Sequence, residues 1–409
     1  MVRRALVIGG GVAGPVAAIA LRGIGFEVAI AEARTERMEE AGSWFSLGPN
    51  GLNALADLGL ADAVLAHAFP VPGLVFANAA GTILGAIEGG DEVERYGAEG
   101  VVLKRGPLHV ALREAATARG IPYETGKRLE EITLRDGVAV TRFADGSEAE
   151  ADLVVGADGI RSATRRFVAP DASGPTFTGI VGYSGFARPA GPPSVGEMRM
   201  TFGRRAFVGY APAPDGEVYW YDNVHWSQDL PQDEDAGGDP TALRRWLTTL
   251  HADDPAPIPD LAATTPGPIR RWDIHDLPPL PCWHRGPVCL VGDAAHAAAP
   301  HGAQGASLAI EDAVVLARCL RDEPTVDDAF AAYQRERKPR VDGLYRQARS
   351  RGRQMLPRGP LAAWLRDRIL PWALRQADVG DDWLYDYRTG WSTDGVGKSA
   401  SRQVGKETS

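Results

Sequence analysis

The 409-residue chain is poor in lysine: of 44 basic residues only Lys104, Lys127, Lys338, Lys398 and Lys406 are lysine, and the rest are arginine. That skew is read as coding bias and carries no function. Cysteine is scarce as well. Cys282, Cys289 and Cys319 have no CxxC spacing, so they make neither a disulfide framework nor a tetrahedral thiolate site by themselves, usage that fits a reducing cytoplasm. Positive charge is not in excess either. A formal net charge of −9 argues against a nucleic-acid partner, which needs a basic face for phosphate contacts. Long apolar runs are missing too. Arg3-Arg4 before an apolar stretch has the look of a secretory or twin-arginine signal. The charge-free run from Ala5 to Leu21, however, holds four glycines and Pro15 in 17 residues, short of the ~20 needed to span a bilayer. It reads as a buried strand and turn, and no membrane span is expected.

What is present is the makeup of a folded globular chain, with 44% hydrophobic and 24% charged residues, enough chain for two or three domains. Ala5-Leu-Val-Ile is an apolar run suited to a strand covered on both faces. An alanine-rich helix follows from Pro15, then a strand over Glu27–Glu32, which completes a βαβ unit. Leu153–Gly156 and Val288–Val291 are two more apolar runs, each ending in a polar turn. They are expected in the same sheet despite their separation, because parallel neighbours need long crossovers. Between them, Phe177 to Trp226 alternates apolar and polar residues around turns such as Ala213-Pro-Asp-Gly216, which predicts antiparallel strands.

Gly9-Gly-Gly11-Val12-Ala13-Gly14 contains GxGxxG after a strand and before a helix. Gly9 permits the tight turn, Gly11 lets backbone approach a pyrophosphate, and Gly14 lets helix pack on strand. Glu32 lies 18 residues beyond Gly14, where a carboxylate can accept from a ribose diol and would repel a 2′-phosphate. A tightly held FAD or NAD is expected. No second GxGxxG occurs, which suits one resident flavin and a visiting nicotinamide, NADPH or NADH.

Two further motifs stand beside this one: Ala157-Asp158-Gly159-Ile-Arg161-Ser162, and Gly292-Asp293-Ala-Ala-His296 continuing to Pro300-His-Gly302-Ala303-Gln304-Gly305. Together the three resemble the single-component, class A FAD-dependent aromatic hydroxylases, whose fold is that of para-hydroxybenzoate hydroxylase. The likeness runs from Met1 to about Val341, including Arg335-Glu-Arg-Lys-Pro-Arg340, and is weakest over the substrate sheet. It implies FAD as cofactor, O2 as co-substrate, and hydroxylation of an aromatic or polyketide-like small molecule through a flavin C4a-hydroperoxide. It also implies roles for residues. Glu32 would hold the adenosine ribose, Arg34 would stand in for an arginine that many members carry at the position of Ala33, and Arg105 would lie near the pyrophosphate and ribityl chain. Asp293 would bind a ribityl hydroxyl, Pro300 would lie beside the ring, and Gly302, Ala303, Gln304 and Gly305 would offer N–H groups to the flavin's pyrimidine edge. Leu129 and Asp158 complete the candidate cofactor contacts, and Gly42 to Asn50 resembles the loop flanking the flavin.

The expected architecture is α/β: a discontinuous Rossmann-like FAD-binding domain over 1–175 and 271–320, an inserted antiparallel-sheet substrate domain over 176–270, a helical region over 321–391, and a disordered tail over 392–409. Pocket candidates are Tyr210, Trp220, Asp222, His225 and Pro300. Along Val218–Trp226, alternation allows either Trp220 with Asp222 or Tyr219 with Tyr221 to face the flavin. Trp364 and Trp372 are expected in a core, His296 and His301 lack a third ligand for a metal, and a monomer or homodimer is expected. The competing readings are a flavin reductase or dehydrogenase that inserts no oxygen, and a non-redox cyclase that keeps FAD as scaffold.

Overall fold

The computed structural model describes residues 3–35, 43–191, 195–356, 359–377 and 382–391. The expected tail over 392–409 lies outside them, as does Gly42.

The apolar runs assemble as their composition requires. Arg4–Ile8 is the centre of a six-stranded sheet, with Leu153–Gly156 and Val288–Leu290 to one side and Glu27–Ala31 and Tyr123–Glu124 to the other. These five run parallel, and a short hairpin strand, His284–Arg285, closes one edge antiparallel. Pairing of Ile8 with Gly156 and of Gly156 with Leu290 aligns the carboxyl ends of three strands. The three motifs follow directly from those ends, which is where ligands bind in open α/β sheets. Helices Ala13–Gly23 and Gly305–Asp322 pack together beside the sheet, their apolar faces in one core with Val7, Val155 and Leu290.

The second sheet is wider than the sequence suggests. Its seven strands run in the order Arg270–Asp276, Thr176–Ala187, Val218–His225, Phe207–Pro212, Met198–Phe202, Gly73–Asn78 and Ile83–Glu88. A domain cut at 176–270 would therefore omit two strands from the N-terminal third and most of a strand at the other edge. Gly73–Asn78 joins parallel to Met198–Phe202, a non-local pairing that no hairpin turn announces. One face of this sheet packs on helices Pro240–Leu250 and Ile258–Leu261 through Val181, Val208, Trp220 and Leu247. The other face looks toward the nucleotide sheet.

Among the described residues, three helices follow in the 321–391 region: Val326–Met355, Pro360–Ala377 and Asp382–Tyr385. Trp364 and Trp372 are not in a core. They are 54% and 62% exposed, because the helix Pro360–Ala377 seats Leu370 against the second sheet and turns the tryptophans outward. No helix among the described residues is long and apolar enough to cross a membrane.

Candidate active site

A cavity of about 600 Å³ lies between the two sheets. The helices Ala13–Gly23 and Gly305–Asp322 both start at it, and neither has a side-chain cap. Their first-turn N–H groups and aligned dipoles thus leave a concentration of positive potential at the wall, suited to an anionic or electron-rich ligand. A Cβ at Gly11 or Gly305 would meet nothing within 4 Å, so both glycines border open space, while one at Gly14 would fall 1.9 Å from the Gly9 carbonyl oxygen. Gly9 itself has φ +105°, a value open to glycine and strained for other residues.

Gly11, Val12, Ala13, Arg105, Asp293, Pro300, Gly302, Ala303, Gln304 and Gly305 all line this cavity, so the structure brings together most of the residues singled out from sequence. Ala303 departs from expectation in detail. It sits at φ +51° and its N–H donates to the Pro300 carbonyl, so that one donor of the turn is turned inward. Glu32 stands beyond the lining. Its oxygens accept from the N–H groups of Gly10 (2.6 Å) and Arg34 (2.8 Å), which fixes the glycine loop and leaves each a lone pair. Tyr123, unforeseen, backs that loop by donating to the Gly10 carbonyl at 3.0 Å.

Leu129 opens a strand with its side chain in the core, so the residue has only backbone to offer a ligand. Asp158 does not reach the cavity. Its carboxylate accepts from Ser162 Oγ (2.5 Å), from the N–H groups of Ala163 (2.8 Å) and Thr164 (3.0 Å), and from Thr164 Oγ1 (3.1 Å), and so caps the helix Ala163–Val168. Arg165 ties this turn to the other motif by donating to the Ala294 carbonyl at 3.0 Å.

Arg105 and His109 project from the helix Arg105–Ala118. Burial lowers the Arg105 pKa, Asp293 opposes that, and Arg34 adds to it. The imidazole of His109 is pushed down to about 3 by burial and by the Arg105 and Arg34 guanidinium groups, so it is neutral. Both its ring nitrogens are buried without a partner. No sequence motif announces His109, one helical turn beyond Arg105.

This donor set fits FAD. Two uncapped helix starts, the Arg105 guanidinium and an orphaned neutral imidazole suit a pyrophosphate and ribityl chain, and the borders at Gly11 and Gly305 leave space that side chains would fill.

Behind the Ala299–Gly305 turn lies a buried charge network that motif reading did not assemble. Asp312 accepts from Gly292 N (3.0 Å) and Arg337 Nε (2.7 Å) and pairs with His296 Nε2 at 2.5 Å. Glu311 pairs with Arg337 (2.6 Å) and Arg340 (2.8 Å) and accepts from Asn50 Nδ2 (2.5 Å), which also donates to Gln304 Oε1 (3.0 Å). Burial would raise the Asp312 carboxyl, yet His296 and Arg337 outweigh it and hold it at about 2. His296 is thereby committed to Asp312. His301 is neutral, lowered to about 4 by burial.

The helices Pro240–Leu250 and Ile258–Leu261 cover one side of Val218–His225, and the other side faces the cavity. Tyr221 and Asn223 line it, and Tyr219 packs on Trp44 and Phe69 beside it. Trp220 points the other way and donates Nε1–H to Thr265 Oγ1 at 2.9 Å. Asp222 gives the cavity only backbone. Its carboxylate lies on the far face, where it accepts from Tyr183 N (3.0 Å) and meets His251 Nε2 (3.1 Å). Tyr210, on the neighbouring strand, belongs to the same far-side core. His225 sits at the strand end, away from the cavity, and donates to the Leu356 carbonyl at 3.1 Å. Of the five pocket candidates only Pro300 brings its side chain to the cavity wall.

On the far face His251 also meets Asp254, Nδ1 to Oδ2 at 2.9 Å. Burial alone would lower its pKa, but the hydrogen bonds to Asp222 and Asp254 raise it to about 9.

A backbone-built nucleotide cradle opening onto an aromatic sheet face defines an FAD-dependent oxidoreductase with a separate substrate chamber. Over residues 3–348 the chain matches the family described as FAD binding domain and belongs to it, as a class A FAD-dependent monooxygenase. It is 31% identical over 368 residues to aurachin C monooxygenase/isomerase of Stigmatella aurantiaca, covering 89% of this chain and 93% of that one. It is also 31% identical over 395 residues to 3-amino-4-hydroxybenzoate 2-monooxygenase of Streptomyces cremeus, covering 95% and 96%. The crystal structure of Klebsiella pneumoniae HpxO with FAD and uric acid superposes with a TM-score of 0.81 at 27% identity, covering 90% of this chain and 92% of that one. The chain thus uses FAD and O2 on an aromatic small molecule.

Proposed function

We propose that the enzyme places one atom of O2 on an electron-rich ring carbon of its substrate, with NADH or NADPH as a transient source of hydride and the second oxygen atom leaving as water. The observation that carries this reading is the continuity of one cavity from the helix starts at Ala13 and Gly305 to the chamber lined by Trp44, Met198, Met200, Tyr221 and Trp272. FAD held there supplies the chemistry that passes two electrons from nicotinamide to O2. The chain's own work is to bind and to exclude water. The helix starts and Arg105 neutralise the pyrophosphate, and the N–H groups of the Gly302–Gly305 turn other than that of Ala303 are the candidates for electron density gained at the pyrimidine edge on reduction. The aromatic and thioether walls orient a flat substrate and keep the chamber dry. The single GxGxxG supports a nicotinamide that visits and leaves.

Purified enzyme with FAD, NADPH or NADH and 18O2 should give one labelled oxygen atom per product molecule and one labelled water. Product without label would assign a dehydrogenase on the same scaffold.

A further inference from the structure

On the cavity face of the second sheet, Asn223 is 3% exposed and lines the cavity, and among the described residues its carboxamide makes no hydrogen bond. We propose that Asn223 is the polar anchor of the substrate, and that the enzyme selects an uncharged aromatic molecule bearing a phenol, carboxamide or lactam over an aromatic carboxylate. This rests on the reading of the cavity as a monooxygenase chamber and names the class of its substrate.

The strand register makes a seat for this group. Asn223 stands between Phe207 on one neighbouring strand and Gly182 on the other, and Trp272 follows beyond Gly182. A Cβ at Gly182 would lie 3.1 Å from Asn223 Oδ1, so the glycine leaves the amide lying over bare backbone. An amide that borders a cavity without a protein partner is left to water or a ligand, and a bound group that both donates and accepts can take the water's place. Tyr221, two residues back on the same face, adds a hydroxyl whose partner is the Met200 thioether at 3.3 Å, a weak acceptor readily exchanged for a ligand oxygen.

The charges point the same way. Among the described residues lining the cavity, the acidic and basic side chains that face it are Arg105, Glu92, Asp293, His109 and His301. Both imidazoles are held neutral by burial, and Arg105 stands at the nucleotide end beside Asp293. No cation among the described residues lines the sheet end, where Met198, Met200, Leu74 and Trp272 dominate. An aromatic carboxylate seated there would lose its water with no counter-charge. A neutral carbonyl or hydroxyl satisfies Asn223 and requires no such compensation.

The test uses the FAD-loaded enzyme and matched pairs of probes: 4-hydroxybenzamide against 4-hydroxybenzoate, 2-naphthol against 3-hydroxy-2-naphthoate, and 4-quinolone against 4-quinolone-2-carboxylate. Dissociation constants are read by calorimetry and FAD content by absorbance. The neutral member should bind about tenfold or more tightly in each pair that binds. Asn223→Leu and the near-isosteric Asn223→Asp should each lose about tenfold for the neutral probes while keeping their FAD. A carboxylate that binds as tightly as its neutral partner, neutral affinities unchanged in both variants, or a panel in which nothing binds would each overturn the assignment. Absence of label in the 18O2 experiment would overturn the monooxygenase reading instead, and leaves this ranking of ligands untouched.

Discussion

The two walls of the cavity are made of different material. The nucleotide wall is backbone: glycines without side chains, two uncapped helix starts, and behind them a sealed set of ion pairs joining Glu311, Asp312, Arg337 and Arg340. The sheet wall is side chain: aromatic rings, thioethers, and an amide and a hydroxyl that have no strong partner among the described residues. A ligand common to a family can be held by peptide groups that hardly depend on side-chain identity. A ligand particular to one member is read by side chains, which can change without disturbing the fold.

The sharpest break of the nucleotide wall is Arg337→Met. It leaves Glu311 and Asp312 buried with reduced counter-charge and should cost about 3–5 kcal/mol in denaturant unfolding. A loss within 1 kcal/mol would mean water reaches the network. Gly11→Val separates binding from folding, because a side chain there meets open space. FAD affinity should fall about a hundredfold, and the apoprotein's stability should move by less than about 1 kcal/mol. Unaltered FAD affinity would remove Gly11 from the cradle.

The far face of the sheet wall is tested by pH. His251 has a folded pKa of about 9, above the ordinary histidine value, so its contribution is fully present below about pH 6.5 and is lost as pH rises through 9. Wild-type stability should drop by about 2–3 kcal/mol over that window, and His251→Gln should flatten the profile. A wild-type profile already flat there would show that the imidazole is not held between Asp222 and Asp254 as described. The smallest effect expected is that of Tyr221→Phe. Its hydroxyl has only a thioether as partner, so folding should change by less than about 1 kcal/mol and the effect should fall on ligand affinity.

The same division explains what the sequence made legible. Gly9, Gly11, Gly14, Asp293 and the Pro300–Gly305 turn stand out because backbone chemistry demands particular residues at particular spacings. Asp158 stood out for a similar reason but with a different use, since a helix cap and a ligand contact ask for the same carboxylate. The sequence does not rank Trp220 and Asp222 against Tyr219 and Tyr221, because period-two alternation names two faces without saying which is covered. The helices Pro240–Leu250 and Ile258–Leu261, which cover the far face, decide that. Strands Gly73–Asn78 and Ile83–Glu88 escaped because their place in the sheet depends on a pairing more than a hundred positions away.

The central claim is that two helix starts on a glycine-lined wall hold one FAD per chain. Titration of the apoprotein with FAD, followed by flavin absorbance and calorimetry, tests it directly. Saturation at one equivalent, with Gly11→Val and Gly305→Val each folded but weakened about a hundredfold, is the predicted result. A folded apoprotein that takes up no FAD, or variants that bind it as tightly as the parent, would contradict the account.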